Sequence, residues 1–148
     1  MRTRAKTPVN RGQMNISSGM SLSFSGTAYE KIVGNWVDGC SNNFSIDDVN
    51  DWLTYNGTQS ICCVMNGVSD IKVDKACEIT YALYKNGELV TGAETPHSFA
   101  SASKYSTISI TTLITVNPGD YFEAWAKSDD ATVTLTINSL KILFFGEN

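Results

Sequence analysis

Apolar and polar residues alternate along most of this chain, which is the period of a β-strand with one buried face. The clearest case spans residues 105–116, where the branched apolar residues share one face: Ile108, Ile110, Ile114 and Val116. Serine and threonine fill most of the opposite face. This pattern predicts a strand that packs on a core with one side and meets solvent with the other.

Turn signals separate the alternating runs. Asn86-Gly87 lies between the run 79–83 and the run 88–90, and this dipeptide suits the positive φ angles of a tight hairpin turn. Residues 117–120 predict another turn, as do Asn56-Gly57 and Asn66-Gly67. After Asn138 the apolar parity flips, so a bulge is expected at Asn138-Ser139.

The predicted fold class is all-β, a sandwich of about eight to ten short antiparallel strands. Strands are expected at residues 28–37, 52–55, 59–65, 71–73, 79–83, 88–90, 105–116, 121–127, 133–137 and 140–144, with polar loops at 40–51 and 91–103. Threonine, serine, asparagine and glycine are abundant, and this composition favours strands and turns over helices.

Charge divides the chain into two parts. Residues 1–27 contain four basic side chains and no acidic one: Arg2, Arg4, Lys6 and Arg11. The other seven basic residues share residues 28–148 with all 15 acids. We therefore predict an extended basic arm over residues 1–27, which becomes ordered against a partner, and a sandwich domain over residues 28–148. A merely solubilising tail is the alternative.

The sequence predicts neither export nor membrane insertion, because an apolar signal segment and a spanning run are both missing. Cys40, Cys62, Cys63 and Cys77 are then expected to be reduced thiols in a cytoplasm, without a metal or cofactor. The acidic body also argues against specific nucleic-acid binding.

No catalytic constellation is evident, and we predict that the chain is not an enzyme. His97 is the only histidine and lies in a loop without a nucleophile motif. A polysaccharide-cleaving enzyme would need converging carboxylates, for which the candidates are Asp47, Asp48, Glu94 and Asp120. Acids in turns are more simply interpreted as solvated, and the Asp47–Asp51 stretch lacks a calcium-loop pattern.

Aromatic residues suggest an interface. Along the predicted strand 121–127, Tyr121 and Trp125 share a face with Glu123, while Phe122 takes the core side. Large amphipathic rings on the second face suit a subunit contact, so we predict that Tyr81, Tyr121 and Trp125 form an oligomer interface. The alternative places Trp125 in the core and Phe122 near the rim.

The segments Trp52-Leu53-Thr54-Tyr55-Asn56-Gly57, Tyr81 to Glu88 and Asn117 to Trp125 resemble the tumour-necrosis-factor/C1q-like jelly roll, more particularly the jelly-roll proteins of phage heads and fibres. The resemblance implies a homotrimer in which one sheet of each subunit faces its neighbours. It would place Tyr121 and Trp125 near that interface, and residues 140–145 on a central inner strand.

Two functions follow as expectations. The first is a trimeric capsid decoration (cement) protein of the virion, whose basic arm binds the major capsid protein of a phage head. The second is a receptor- or glycan-binding tip of a head or tail fibre, with a host-surface glycan as partner. Exposed loop aromatics at Phe44, Phe99 and Tyr105 would favour the second.

Overall fold

The structure is a computed structural model that describes residues 9–102 and 104–147. These residues form twelve strands: β1 (Val9–Ile16), β2 (Met20–Ser23), β3 (Glu30–Lys31), β4 (Val37–Asp38), β5 (Phe44–Asp47), β6 (Trp52–Tyr55), β7 (Ile61–Val73), β8 (Cys77–Lys85), β9 (Glu88–Phe99), β10 (Ser106–Val116), β11 (Tyr121–Ser128) and β12 (Thr134–Glu147). None of the described residues is helical, so the predicted all-β class is confirmed.

The strands make two antiparallel sheets that pack as a sandwich. Sheet A has the order β10-β7-β12-β1-β4, with β2 also paired to β12. Sheet B has the order β5-β6-β11-β8-β9, with β3 also paired to β11. Each sheet therefore has one inner face against the core and one outer face toward solvent.

The core follows from the alternation in the sequence. Inward side chains of both sheets form one apolar cluster, and Phe122 of β11 meets Phe144 of β12 across it at 4.5 Å between ring centroids. Both rings are fully buried. Burial of a side chain of this size contributes about 1.5–3 kcal/mol, so the contact helps to hold the two sheets together.

Two local predictions are confirmed. Asn86 and Gly87 both have positive φ, at 53° and 83°, and close the β8–β9 hairpin. The register between β12 and β7 shifts between Ile137 and Ser139, where the parity flip required a bulge. The bulge lets Ile137 and Leu140 both face the core although they lie three residues apart.

Other local predictions are wrong. Asn66-Gly67 does not turn but lies inside β7, where both residues pair with β10 and β12. The predicted loops at 40–51 and 91–103 contain β5 and most of β9. In β9 the inward residues Ala93 and Phe99 are buried, so the period of two continues past Pro96. Residues 28–37 form only the short β3 and part of β4.

The boundary predicted at residue 27 also needs correction. Within the predicted arm, β1 pairs with β12 along its whole length, from Val9↔Glu147 to Ile16↔Leu140. Met14 and Ile16 belong to the core. β1 is therefore part of the sandwich, and residues 1–8 lie outside the described residues.

Candidate functional site

The two outer faces of the sandwich differ in chemistry. We call the outer face of sheet A "face A" and the outer face of sheet B "face B". Face A presents uncovered apolar side chains, whereas face B presents aromatic rings that are covered by one another and by charged groups.

Face A carries a row of exposed apolar side chains across three neighbouring strands. Phe145 of β12 is in register with Val64 of β7, which is in register with Leu113 of β10. Their exposed fractions are 46%, 41% and 70%. We call these three residues the apolar row. Large apolar groups in adjacent positions on a solvent-facing sheet indicate a surface that binds another protein.

More apolar surface continues from this row toward β4. Val68 and Val37 are also exposed, and they line a groove of about 630 Å³ together with Gln13, Asn15 and Lys141, among other residues. Face A thus combines an apolar centre with a polar margin, which is the anatomy of a protein interface.

Face B gathers five rings from four segments. Trp52 packs on Tyr121 at 4.1 Å between centroids, and Tyr84 stacks on Trp125 at 4.3 Å with an interplanar angle of 19°. Tyr29 meets Tyr84 edge to face at 5.9 Å. All five side chains are only partly exposed because each covers part of a neighbour. The cluster is packed like a small second core.

Charged groups complete face B. The Lys31 ammonium lies 2.5 Å from the Glu123 carboxylate, whose side chain is 7% exposed. The Tyr29 hydroxyl donates to Glu94, and the Lys127 ammonium lies 4.6 Å from the centre of the Tyr29 ring. Burial and the hydrogen bond to Glu94 raise the pKa of Tyr29. Tyr29 therefore remains a protonated donor at neutral pH.

Tyr81 belongs to neither outer face. Its ring is buried in the core, and burial raises its pKa. Its oxygen lies 3.1 Å from Ser69 Oγ, and Ser69 donates its single proton to the carbonyl of Ser139. Tyr81 must then be the donor to Ser69. The prediction of Tyr81 as an interface residue is wrong, because the alternation in β8 points it inward with Ile79 and Leu83.

The comparison with solved structures identifies the architecture. The structure of Eiger TNF from S. frugiperda matches with a TM-score of 0.54 and 11% sequence identity, over 93% of this chain and 92% of that chain. This chain has a TNF-like jelly-roll fold. No protein-family model and no curated protein sequence matches it.

The resemblance implied that Tyr121 and Trp125 lie near the subunit interface and that residues 140–145 lie on a central inner strand, and the structure places these two groups on different sheets. Tyr121 and Trp125 lie on β11 of sheet B, with Phe122 on the core side. Residues 140–145 lie on β12 in the middle of sheet A. An interface formed by a single sheet cannot contain both groups, and the exposed apolar row lies on the sheet that contains β12.

The predicted arm residues are divided between two regions. Arg11 lies in β1 of the jelly roll and is in register with Phe145, so it borders the apolar row. Arg2, Arg4 and Lys6 lie outside the described residues. Their attachment role remains a prediction.

The candidate catalytic residues do not converge on a recognisable site. His97 lies in β9 with its ring 4.8 Å from that of Phe99. Asp47 accepts hydrogen bonds from its own turn, at Val49 and Asn50. Glu94 is engaged by Tyr29, and Asp120 is engaged by the hairpin turns described next.

The Asp120 carboxylate links two turns at one end of sheet B, the turn at Asn86 and the turn at Asn117. Its carboxylate lies 3.0 Å from the Lys85 ammonium and accepts hydrogen bonds from the Asn86 side chain and the Asn117 backbone, each at 2.8 Å. Burial alone would raise the pKa of Asp120. The bonds from Asn86, Asn117 and Lys85 outweigh burial, and the pKa is lowered.

Two kinds of site are missing from residues 9–102 and 104–147. They hold no group of three or more His, Cys, Asp or Glu side chains placed for a metal ion. They also form no helix long and apolar enough to cross a membrane.

Of the loop aromatics predicted to bind glycans, Phe44 and Phe99 are buried and only Tyr105 is exposed.

The apolar row is the feature that sequence reasoning missed. The sequence does carry a signal for it, because β12 is apolar on both faces near its end. Leu140, Ile142 and Phe144 lie on one face, and Leu143 and Phe145 lie on the other. A strand in the middle of a sheet with one solvated face should carry polar residues on that face. Two apolar faces on β12 therefore indicate a second buried surface.

Proposed function

We propose that this chain is a non-catalytic structural protein that assembles as a homotrimer through face A. The observation that carries the proposal is the apolar row on sheet A. Complete burial of a fully exposed side chain of this kind contributes about 1.5–3 kcal/mol, and Phe145, Val64 and Leu113, which are 46%, 41% and 70% exposed, would gain a corresponding part of that on assembly. The TNF-like fold supports the trimeric state, because proteins of this fold commonly form homotrimers.

We further propose that the trimer decorates the head of a phage and that its basic N-terminal residues bind an acidic capsid surface. The support is the charge distribution, with Arg2, Arg4 and Lys6 preceding an acidic body, and the sequence resemblance to phage head proteins. Each exposed ion pair contributes only up to about 1 kcal/mol, so attachment should depend on several charges together.

The oligomeric state is tested by native mass spectrometry and light scattering on the full chain at micromolar concentration. The expected mass is three times the 16.1 kDa of one chain. A monomer at these concentrations would contradict the proposal of a structural trimer.

Attachment is tested with a chain that lacks residues 1–8. This deletion removes Arg2, Arg4 and Lys6 and leaves β1 complete, whereas a longer deletion would remove core strand residues. We expect a trimer that binds purified phage heads weakly, and wild-type binding that falls as salt rises. The matched variant is a full-length chain with Arg2→Gln, Arg4→Gln and Lys6→Gln, which removes the same charges and keeps the length of the chain. Unchanged binding by both variants would contradict the role of the basic residues.

A further inference from the structure

Face B holds one ammonium group in a site made of three different partners. The Lys31 Nζ lies 2.5 Å from Glu123 Oε2 and 5.4 Å from the centre of the Trp52 ring, and it donates to the carbonyl of Asn50. A primary ammonium has three donor hydrogens and no acceptor. A carboxylate, a carbonyl and an aromatic face are therefore suitable partners for it.

Two of the three partners, Trp52 and the Asn50 carbonyl, are positioned by contacts that do not involve Lys31. Glu123 projects from β11, and Trp52 projects from β6, where its ring is held by Tyr121. The Asn50 carbonyl belongs to the turn between β5 and β6, which Asp47 fixes by accepting from the Asn50 backbone at 2.9 Å. Lys31 arrives separately, from the two-residue strand β3. The site and its occupant thus come from different segments of the chain.

The burial of Glu123 explains why the site needs a cation. Glu123 is 5% exposed and lies on β11 between Tyr121 and Trp125. Leaving a carboxylate this poorly solvated without a partner is costly, so Glu123 needs a cation beside it. Removing the ammonium leaves a carboxylate, a backbone carbonyl and an aromatic face, which are groups that a small alkylammonium ion can contact.

We propose that this part of face B is an alkylammonium-binding site whose resident ligand is the chain's own Lys31, and that it accepts a free primary ammonium when the lysine is removed. The resident lysine fastens β3 to sheet B. The inference is independent of trimer formation, because face A lies on the opposite side of the sandwich.

The direct test is chemical rescue of Lys31→Ala with methylammonium chloride, measured by thermal unfolding and tryptophan fluorescence. The variant should melt roughly 10 °C lower than wild type, since the buried carboxylate loses its partner. Methylammonium should raise the midpoint in a saturable manner, with an apparent Kd on the order of 10 mM. Sodium chloride at equal ionic strength should not do so.

Two controls define the chemistry of the site. Lys75→Ala removes an ammonium that donates to the hydroxyl of Thr132 and has no buried carboxylate partner in the described residues, and it should show no rescue. Tetramethylammonium carries the same charge but cannot donate hydrogen bonds to Glu123 or Asn50, so it should rescue Lys31→Ala less well. Equal midpoints of Lys31→Ala in methylammonium and in sodium chloride would overturn the proposal.

A second measurement avoids dependence on that variant. Reductive methylation of the wild-type chain, followed by mass spectrometry, should label Lys31 at least tenfold more slowly than Lys75. Glu123→Gln should accelerate labelling at Lys31 and leave Lys75 unchanged. Labelling of Lys31 at the rate of Lys75 in the wild-type chain would also overturn the proposal.

Discussion

Face A and face B are built on the same sandwich, and both carry large apolar side chains. On face B the rings of Trp52, Tyr84, Tyr121 and Trp125 cover one another, and Lys31 pairs with the buried Glu123. On face A the apolar row remains open to solvent. The number of aromatic residues therefore does not separate the two faces; what separates them is the apolar surface left uncovered after the chain has folded.

The comparison assigns different tasks to the two faces. The side chains of face B are covered by one another within a single chain, so changes there should affect the stability of the fold. In the proposed trimer another copy of the chain covers face A, so changes there should affect assembly. Each of the following variants separates these two effects, and they are ordered from the largest expected effect to the smallest.

Leu113→Asp should weaken trimer formation most. It places a charge at the most exposed position of the apolar row, and burying an unpaired charge against apolar side chains is costly. We expect assembly to weaken by at least about 100-fold, roughly 3 kcal/mol, with little change in the fold. Sedimentation velocity over a range of concentrations measures the effect.

Leu89→Asp is the matched control for that variant. Leu89 is also an exposed leucine but lies on β9 of sheet B. It should leave the trimer intact. Equal dissociation by both aspartate variants would mean that face A has no special role in assembly.

Asp120→Ala should lower stability strongly, by an amount comparable to that of Lys31→Ala. It leaves Lys85 and the Asn86 and Asn117 donors without their common acceptor. We expect the free energy of unfolding to fall by about 2–3 kcal/mol. The loss is moderate because Lys85 is partly exposed and keeps some hydration when its partner is removed. Urea unfolding measures this loss, and the folded variant should still sediment as a trimer.

The same carboxylate predicts an acid-sensitive contribution to stability. Because the pKa of Asp120 is lower in the folded state, folding is favoured while the group is charged. This contribution is complete above about pH 4 and is lost as the pH falls further through the folded pKa. The stability difference between wild type and Asp120→Asn should therefore shrink below pH 4. A constant difference would contradict the assignment.

Gly67→Ala should have the smallest effect and should stabilise the fold. Gly67 faces an apolar cavity of about 40 Å³ between the sheets, and an added methyl group would meet Ile110 Cγ2 at 3.2 Å. Ile110 is only partly buried and can yield. We expect the free energy of unfolding, measured in urea, to rise by about 0.5–1 kcal/mol, with no change in assembly. A loss of stability would mean that Ile110 cannot move.

The sequence alone predicted the regular parts of this fold. The alternation around Ile108 and Ile114, the Asn86-Gly87 hairpin and the bulge before Ser139 all depend on local patterns, and local patterns are visible in one sequence. Asn66-Gly67 shows the limit. The same dipeptide was predicted to turn, but β7 is paired on both sides there, and sheet pairing overrides the turn preference.

The candidate sites were harder to predict because they depend on long-range pairing. The apolar row joins residues 64, 113 and 145, which become neighbours only through the strand order of sheet A. The contact of Lys31 with Glu123 likewise depends on β3 pairing with β11. The sequence shows which residues are aromatic, but it does not show that their rings cover one another.

Cys62 offers the most direct test of which face is buried in the assembly. It is an exposed thiol on face A, two residues from Val64, whereas Cys40 is an exposed thiol in the loop between β4 and β5. Cys63 points into the core, where burial and the neighbouring Cys62 raise its pKa to about 11, so it should react only after unfolding.

The measurement is the rate of maleimide labelling at each cysteine, in the wild-type chain and in Leu113→Asp. Cys62 should react slowly in the wild-type assembly and quickly in the variant, while Cys40 should react quickly in both. Fast and equal labelling of Cys62 in both proteins, at a concentration where the wild type is trimeric, would contradict burial of face A.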